Sequence, residues 1–219
     1  MKFFLDTANY KALAEAKETG LLDGVTTNPT HLSKEGGNVS ELIKKIASLL
    51  SPCDVSVEIT EKDPCAIYTQ AHEIAALAPN IVVKVPCFPE YLPLINKLVH
   101  EGVPLNITLL FSAVQGLCMA KLQVKYISPF IGRLEDIDSD GIELIHDLRQ
   151  IVDIYAYETQ ILAASLRSTL HVHEVALAGA HCATIPVNIF QKMLDHPLTT
   201  KGMSLFDHDW QTLGIKKFP

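Results

Sequence analysis

One pattern dominates the chain: a short apolar run followed by an amphipathic stretch long enough for a helix, repeated eight times. The runs are Phe3 to Leu5, Gly24 to Thr27, Val55 to Ile59, Ile81 to Val85, Pro104 to Leu109, Tyr126 to Pro129, Ile161 to Ser165 and Cys182 to Pro186. They recur every 20 to 36 residues or roughly so, which is the length a strand-loop-helix unit occupies. Several are apolar at consecutive positions, as in Ile81-Val82-Val83, the pattern of strands covered on both faces. Between them Lys11 to Glu18, Ser40 to Leu50, Pro64 to Leu77, Pro89 to His100, Ser112 to Lys121, Gly141 to Tyr155, Leu170 to Ala178 and Asn188 to Leu194 have helical composition. Several of these open after Ser, Asp or Pro, as helix starts do.

No Pro/Gly/Ser linker separates the units, so the expectation is an α/β fold: a single (β/α)8 TIM barrel spanning residues 1–219. Barrels of this kind commonly take about 200 to 250 residues. The rival, an open doubly wound sheet, normally carries a phosphate-binding fingerprint, and neither G-x-G-x-x-G nor a Walker motif occurs. The tail from Ser204 holds Leu205, Phe206, Trp210 and Leu213 at partly helical spacing. Residues 199–219 are therefore read as an additional C-terminal helix, which either closes the bottom of the barrel or packs on a neighbouring subunit.

Charge and cysteine usage exclude several functions. With 18 Lys+Arg against 25 Asp+Glu the net charge is −7, which disfavours nucleic acid and anionic membranes as partners. No apolar run approaches the ~18 residues needed to span a bilayer. The N-terminus enters a strand at Phe3 without the pattern of a signal peptide. Five widely spaced cysteines, without C-x-x-C, suit a reducing, cytoplasmic setting and argue against zinc.

Polar residues collect at the C-terminal ends of the expected strands, where barrel enzymes assemble their sites: Asp6, Asn28, Glu58, Lys84, Asn106, Thr108, Ser128, Ser165 and Arg167. Lys84 interrupts an apolar run, so its amine emerges inside the barrel or at its rim. Poor hydration favours the neutral amine, the form that attacks a carbonyl to make a Schiff base. A structural ion pair is the other reading of such a lysine. Asp6 and Glu58 supply two carboxylates for two separable proton tasks, carbinolamine formation and dehydration on one hand and carbon-carbon cleavage on the other. Asp6 is also open to reading as a helix cap near Thr7-Ala8-Asn9, and Glu58 as a partner of Lys84. Of the three arginines, Arg133 and Arg167 follow the sixth and seventh strands while Arg149 sits in a helix, and guanidinium forks suit a phosphate dianion.

Other patterns are weaker. Asp136-Ile137-Asp138-Ser139-Asp140-Gly141 imitates half a calcium loop, but the twelfth position is Asp147 and Ser128 to Gly132 reads as strand and turn; helix capping explains it. His171-Val172-His173 lacks a carboxylate at helical offset, so no metal is expected. The sequons Asn38-Val39-Ser40 and Asn106-Ile107-Thr108 are accidental in a cytosolic chain.

Taken in order, Leu5-Asp6-Thr7-Ala8-Asn9, Gly24 to Pro29, Val55 to Glu58, Val82 to Pro86, Asn106 to Ser112, Ile127 to Arg133 and Ala163 to Arg167 resemble the transaldolase family, in its small-subunit branch shared with fructose-6-phosphate aldolase. Phe206-Asp207-His208-Asp209-Trp210 is similar as well. The resemblance implies a metal-free, cofactor-free class I enzyme of the pentose phosphate pathway. It would transfer dihydroxyacetone from sedoheptulose 7-phosphate or fructose 6-phosphate to glyceraldehyde 3-phosphate or erythrose 4-phosphate. It further implies Lys84 as Schiff-base lysine, Asp6 as the base at the C4 hydroxyl, and Glu58 with Thr108 and a water as proton carriers. Asn28, Asn106 and Ser128 would orient the three-carbon unit, and Arg133, Arg167 and Ser165 would hold phosphate.

Glu58, Phe130 and Asn106 match the transaldolase choice, where the aldolase has Gln, Tyr and no asparagine. Phenylalanine cannot donate a proton to the enamine, so the bound unit waits for an acceptor. Leu166 departs from the Phe common in the family's Ala-Ser-Phe-Arg run. The aldolase, and a sugar-phosphate-binding barrel without turnover, are the rival functions. Family likeness suggests a homo-oligomer, a pentamer ring or a decamer, with the C-terminal helix exchanged.

Overall fold

The computed structural model describes residues 1–214. In chain order its elements are β1 (Lys2–Asp6), α1 (Tyr10–Glu18), β2 (Gly24–Thr26), α2 (Pro29–Glu35), α3 (Val39–Leu50), β3 (Asp54–Glu58), α4 (Pro64–Ala75) and β4 (Ile81–Pro86). A 3-10 turn at Pro89–Tyr91 leads into α5 (Leu92–His100), then β5 (Leu105–Leu110), α6 (Ala113–Lys121), β6 (Tyr126–Pro129), α7 (Ile131–Glu135) and α8 (Gly141–Ile154). The chain ends with β7 (Gln160–Ala163), α9 (Thr169–Leu177), β8 (Cys182–Pro186), α10 (Val187–Lys192) and α11 (Pro197–Thr212). The strands pair in sequence order, all parallel, and β8 closes on β1 through aligned pairs running from Lys2↔Cys182 to Asp6↔Pro186. The expected (β/α)8 barrel is the observed one.

Successive strand residues face opposite sides of the sheet, and this period of two sorts the barrel chemically. Outward-facing Leu5, Val25, Val55 and Val57 pack with Leu13 of α1 and Ile43, Ile46 and Leu50 of α3. Val83, Ile107, Ile127, Ile161 and Ile185 do the same with Ile95, Leu98, Ile145 and Leu148. Each such side chain contributes about 1.5–3 kcal/mol on burial. The inward residues form a separate plug near the N-terminal ends of the strands: Phe4, Val82, Tyr126, Leu162 and Cys182. Phe4 and Tyr126 meet edge to face at 5.7 Å. Gly24 makes room for this plug, since a Cβ there would stand 2.7 Å from the Phe4 ring. One layer further along, the inward positions turn polar: Thr26, Ser56, Lys84, Asn106 and Thr184 are all buried.

Helix starts are capped by side chains at Asn9, Asn28, Asn38, Asp63, Ser112, Asp140 and Ser168. Asp140 accepts from Ile142 N and Glu143 N, each at 2.9 Å, so the calcium-like stretch does serve as a helix cap. Several expectations are corrected. The cap of α1 is Asn9, not Asp6, which leaves the Asp6 carboxylate to other partners. Ser128 to Gly132 is not only strand and turn, because α7 begins at Ile131, and α2 was not anticipated at all. Helices of five and seven residues span too few turns to impose a periodic pattern. The C-terminal helix starts at Pro197 rather than 199 or Ser204, and none of its residues is buried. Residues 215–219 of the expected tail lie outside the described residues. Among the described residues no helix is long and apolar enough to cross a membrane.

Candidate active site

Strand register assembles the site. Parallel pairing aligns Glu58 of β3 with Lys84 of β4, and Lys84 with Asn106 of β5. It also aligns Asp6 of β1 with Thr26 of β2. Residues in one row of a sheet share a face, so these side chains converge inside the barrel at the C-terminal end.

Lys84 Nζ lies 2.9 Å from Glu58 Oε2, with side chains only 6% and 14% exposed, and donates a longer bond of 3.4 Å to Thr27 O. The lysine is thus both buried in the site and ion-paired. Across the barrel, Thr26 Oγ1 donates to Asp6 Oδ1 at 2.9 Å and sits 2.6 Å from Thr184 Oγ1. A hydroxyl has one proton, and an ionised carboxylate only accepts, so Thr26 spends its proton on Asp6 and Thr184 must donate to Thr26. His31 Nε2 approaches the same oxygen at 3.4 Å.

Asn106 is fixed on both sides. Its amide Nδ2 donates to Ser56 Oγ at 3.1 Å and its Oδ1 accepts from Ser128 Oγ at 2.7 Å. Thr108 Oγ1 is buried without a hydrogen-bond partner among the described residues. An orphaned buried hydroxyl is costly unless something in the working state satisfies it. Asn28 has a double duty, capping α2 through His31 N at 2.9 Å and lining the cavity.

The cavity above Lys84 has a volume of about 160 Å³ and is bounded by Asp6, Asn28, Ser128, Phe130, Arg133 and Ser165, with Thr26, Thr184 and Ala164 behind them. Phe130 packs edge on to Phe111 at 5.9 Å, and the Arg133 guanidinium stands 5.2 Å over its ring. Ser165 takes a left-handed φ of 61°, unusual for a residue with a Cβ. Its carbonyl accepts from Gly132 N at 3.1 Å, an approach close enough that a Cβ on Gly132 would lie 2.6 Å from that oxygen.

Arg167 stands apart. Both of its terminal nitrogens fork onto the two oxygens of Asp136, half-exposed, and it does not line the cavity. The bond to Arg167 holds the Asp136 carboxyl below its usual range, and the same contact pushes the guanidinium up. His171 supports this corner: its Nδ1 accepts from Arg167 N at 3.2 Å while Nε2 meets Glu135 Oε2 at 3.1 Å. Among the described residues no group of His, Cys, Asp or Glu is arranged to hold a metal ion.

Thr26, Thr184, Ser56 and His31 were not singled out in the sequence, and Asp136 was read only within the calcium-like stretch. For the first three the signal was present as strand phase: they occupy inward positions two residues from other inward side chains. His31 and Asp136 offered none. A larger, mostly apolar groove of about 500 Å³ between α1 and α10 lies outside the barrel, away from these polar groups.

Fold and site together define a parallel-barrel enzyme whose polar machinery surrounds a buried lysine at the C-terminal strand ends. Comparison with known proteins narrows this. A family model described as Transaldolase/Fructose-6-phosphate aldolase matches residues 3–217, and the chain belongs to that family. Similar curated proteins include the "Probable transaldolase" of Streptococcus pyogenes serotype M2 (strain MGAS10270), 49% identical over 210 residues, covering 96% of this chain and 98% of the relative. Those of serotype M5 (strain Manfredo) and serotype M1 match to the same extent, 49% over 210 residues.

Proposed function

We propose that this transaldolase-family enzyme transfers a dihydroxyacetone unit from a ketose phosphate, such as fructose 6-phosphate or sedoheptulose 7-phosphate, to an aldose phosphate through a Schiff base on Lys84. The observation that carries the reading is a buried amine beside Glu58, facing a small polar cavity that Asp6 and Arg133 also line. Once Glu58 takes its proton, the neutral amine adds to the C2 ketone, and the carbinolamine loses water to give the iminium. Glu58, with the Thr108 hydroxyl and a water, carries protons for that step and for the final hydrolysis. Asp6 removes the C4 hydroxyl proton as the C3–C4 bond breaks. The bonding pair flows into the iminium, giving an enamine and a free aldose phosphate. An incoming aldehyde takes the new bond, and Asp6 returns the proton to its oxygen.

Asn28, Asn106 and Ser128 hold the hydroxyls of the three-carbon unit, while Arg133, Ser165 and Arg167 serve the phosphate at the far end of the donor and of the acceptor aldose. Phe130 at the cavity wall has no proton to give, which keeps the enamine alive for an acceptor. Relatives named "Probable transaldolase" support this reading. The exposed α11 and its apolar Leu198, Met203, Leu205 and Phe206 support packing of this helix on a neighbouring copy in a homo-oligomer.

Borohydride added with fructose 6-phosphate is expected to fix the reduced donor's mass on Lys84, and Lys84→Met to abolish both adduct and transfer. Donor cleavage that runs equally fast without acceptor would assign the aldolase instead. Binding without any adduct would reduce the chain to a sugar-phosphate-binding barrel.

A further inference from the structure

Arg133 and Arg167 both flank the loops after β6 and β7, yet only Arg133 lines the cavity. Arg167 is turned away, its planar fork filled by the two oxygens of Asp136 just beyond α7. The packing beneath it explains why the side chain can lie there. Its stem and Nε cross the bare Cα of Gly132, where a Cβ would come within 2.5 Å of Nε and 2.9 Å of Cδ. Gly132 is next to Arg133 and is held to Ser165 O, so the Arg167 fork swings from the very backbone that borders the cavity.

We propose that Asp136 is a specificity-determining residue. It holds Arg167 out of the phosphate end of the cavity and releases it only to a ligand that competes for the fork, a phosphate dianion. The proposal rests on the transaldolase reading of the site and concerns how that site chooses its substrates. Both partners are about half exposed, at 48% and 53%, and pairs this open to water contribute little, so the exchange costs little. A phosphate presents more charge and more acceptor oxygens to the same fork than a carboxylate does. A neutral sugar end offers no such trade. With Asp136 in place the empty cavity carries one guanidinium instead of two, which weakens retention of any phosphorylated sugar, product included. Asp136 thereby trades affinity for release.

Asp136→Asn keeps the shape and removes the charge that holds the fork. The measurement is the concentration of ketose giving half-maximal borohydride adduct on Lys84, taken for fructose 6-phosphate and for fructose, in the wild type, Asp136→Asn, Asp136→Ser and the double variant Asp136→Asn/Arg167→Ala. For fructose 6-phosphate the half-saturation concentration is expected to fall about threefold in both single variants, the scale of an exposed ion pair that no longer competes for the fork. The ratio between the two sugars should shift by the same factor, and the double variant should lose the gain. An unchanged ratio, a rise for fructose 6-phosphate, or a gain that survives loss of Arg167 would each overturn the proposal. No adduct on wild-type Lys84 with either sugar would instead sink the Schiff-base reading beneath it.

Discussion

The chemistry of the site depends on where single protons reside. Thr26 sits between a carboxylate and a second hydroxyl, and because it has one proton to give, the direction of the chain Thr184 to Thr26 to Asp6 is decided. Thr184 therefore acts on Asp6 at one remove, as a positioning residue. Replacing it with Val removes the donor to Thr26 and lets the hydroxyl rotate off Asp6, loosening the proposed base at the C4 hydroxyl. We expect kcat for transfer to drop about tenfold, the equivalent of one net hydrogen bond of ~1.4 kcal/mol, with KM nearly unchanged. Thr184→Ser, which keeps the hydroxyl, should restore most of it. A Thr184→Val variant as active as the wild type would show that the Thr184 proton does not matter.

Among the elements, the strands were the most legible. All eight runs read from the sequence correspond to strands to within a residue or two, because buried parallel strands need continuous apolar stretches that few other structures use. Long helices such as α3 and α8 were also plain, their buried faces recurring at three and four residues. The short α2 and α7 were not, although Asn28-Pro29 is a cap followed by proline at the first turn, a sequence signal for α2 in hindsight.

The most exposed of the long helices is α11, sixteen residues from Pro197 to Thr212 with none buried. Were it to serve the barrel alone, its removal would uncover core. Truncation before Pro197 is expected to leave thermal unfolding of the barrel close to that of the full chain while lowering the mass found by light scattering. An unchanged mass would remove α11 from any role in assembly.

For the molecule as a whole, pH dependence of stability has an identifiable contributor at the closing seam of the barrel. His181 precedes β8, half-buried. Ile161 N donates to its Nδ1 at 3.0 Å, and the Arg149 guanidinium stands 3.0 Å from Nε2. Burial first, then the Arg149 charge, lower its pKa from the usual 6.5. In the unfolded chain the ring regains that usual value, so below about 6.5 the unfolded state binds the proton that the folded state refuses. Stability must then fall as the pH drops from 6.5 toward the depressed folded value. One such proton sets a ceiling of about 1.4 kcal/mol per pH unit, and water reaching the half-buried ring keeps the slope below it. Urea midpoints measured between pH 7 and 5 should decline in the wild type and flatten in His181→Gln; parallel profiles would clear His181 of this role.

The order of strands and helices, the eightfold repeat and the polar residues at strand ends were determined by sequence alone, because hydrophobic periodicity and turn chemistry act over neighbouring residues. Which polar atoms meet was decided only by closure and register. Thr26 and Thr184 are separated by 158 positions and touch because β8 pairs with β1. Glu58 reaches Lys84 because β3 and β4 are in that register and no other. Arg167, read from sequence as a phosphate ligand, is turned instead to Asp136, 31 positions away, since a guanidinium's orientation follows from the charges that folding brings within its reach. Such pairings leave no periodic trace in the chain, and they are where its chemistry resides.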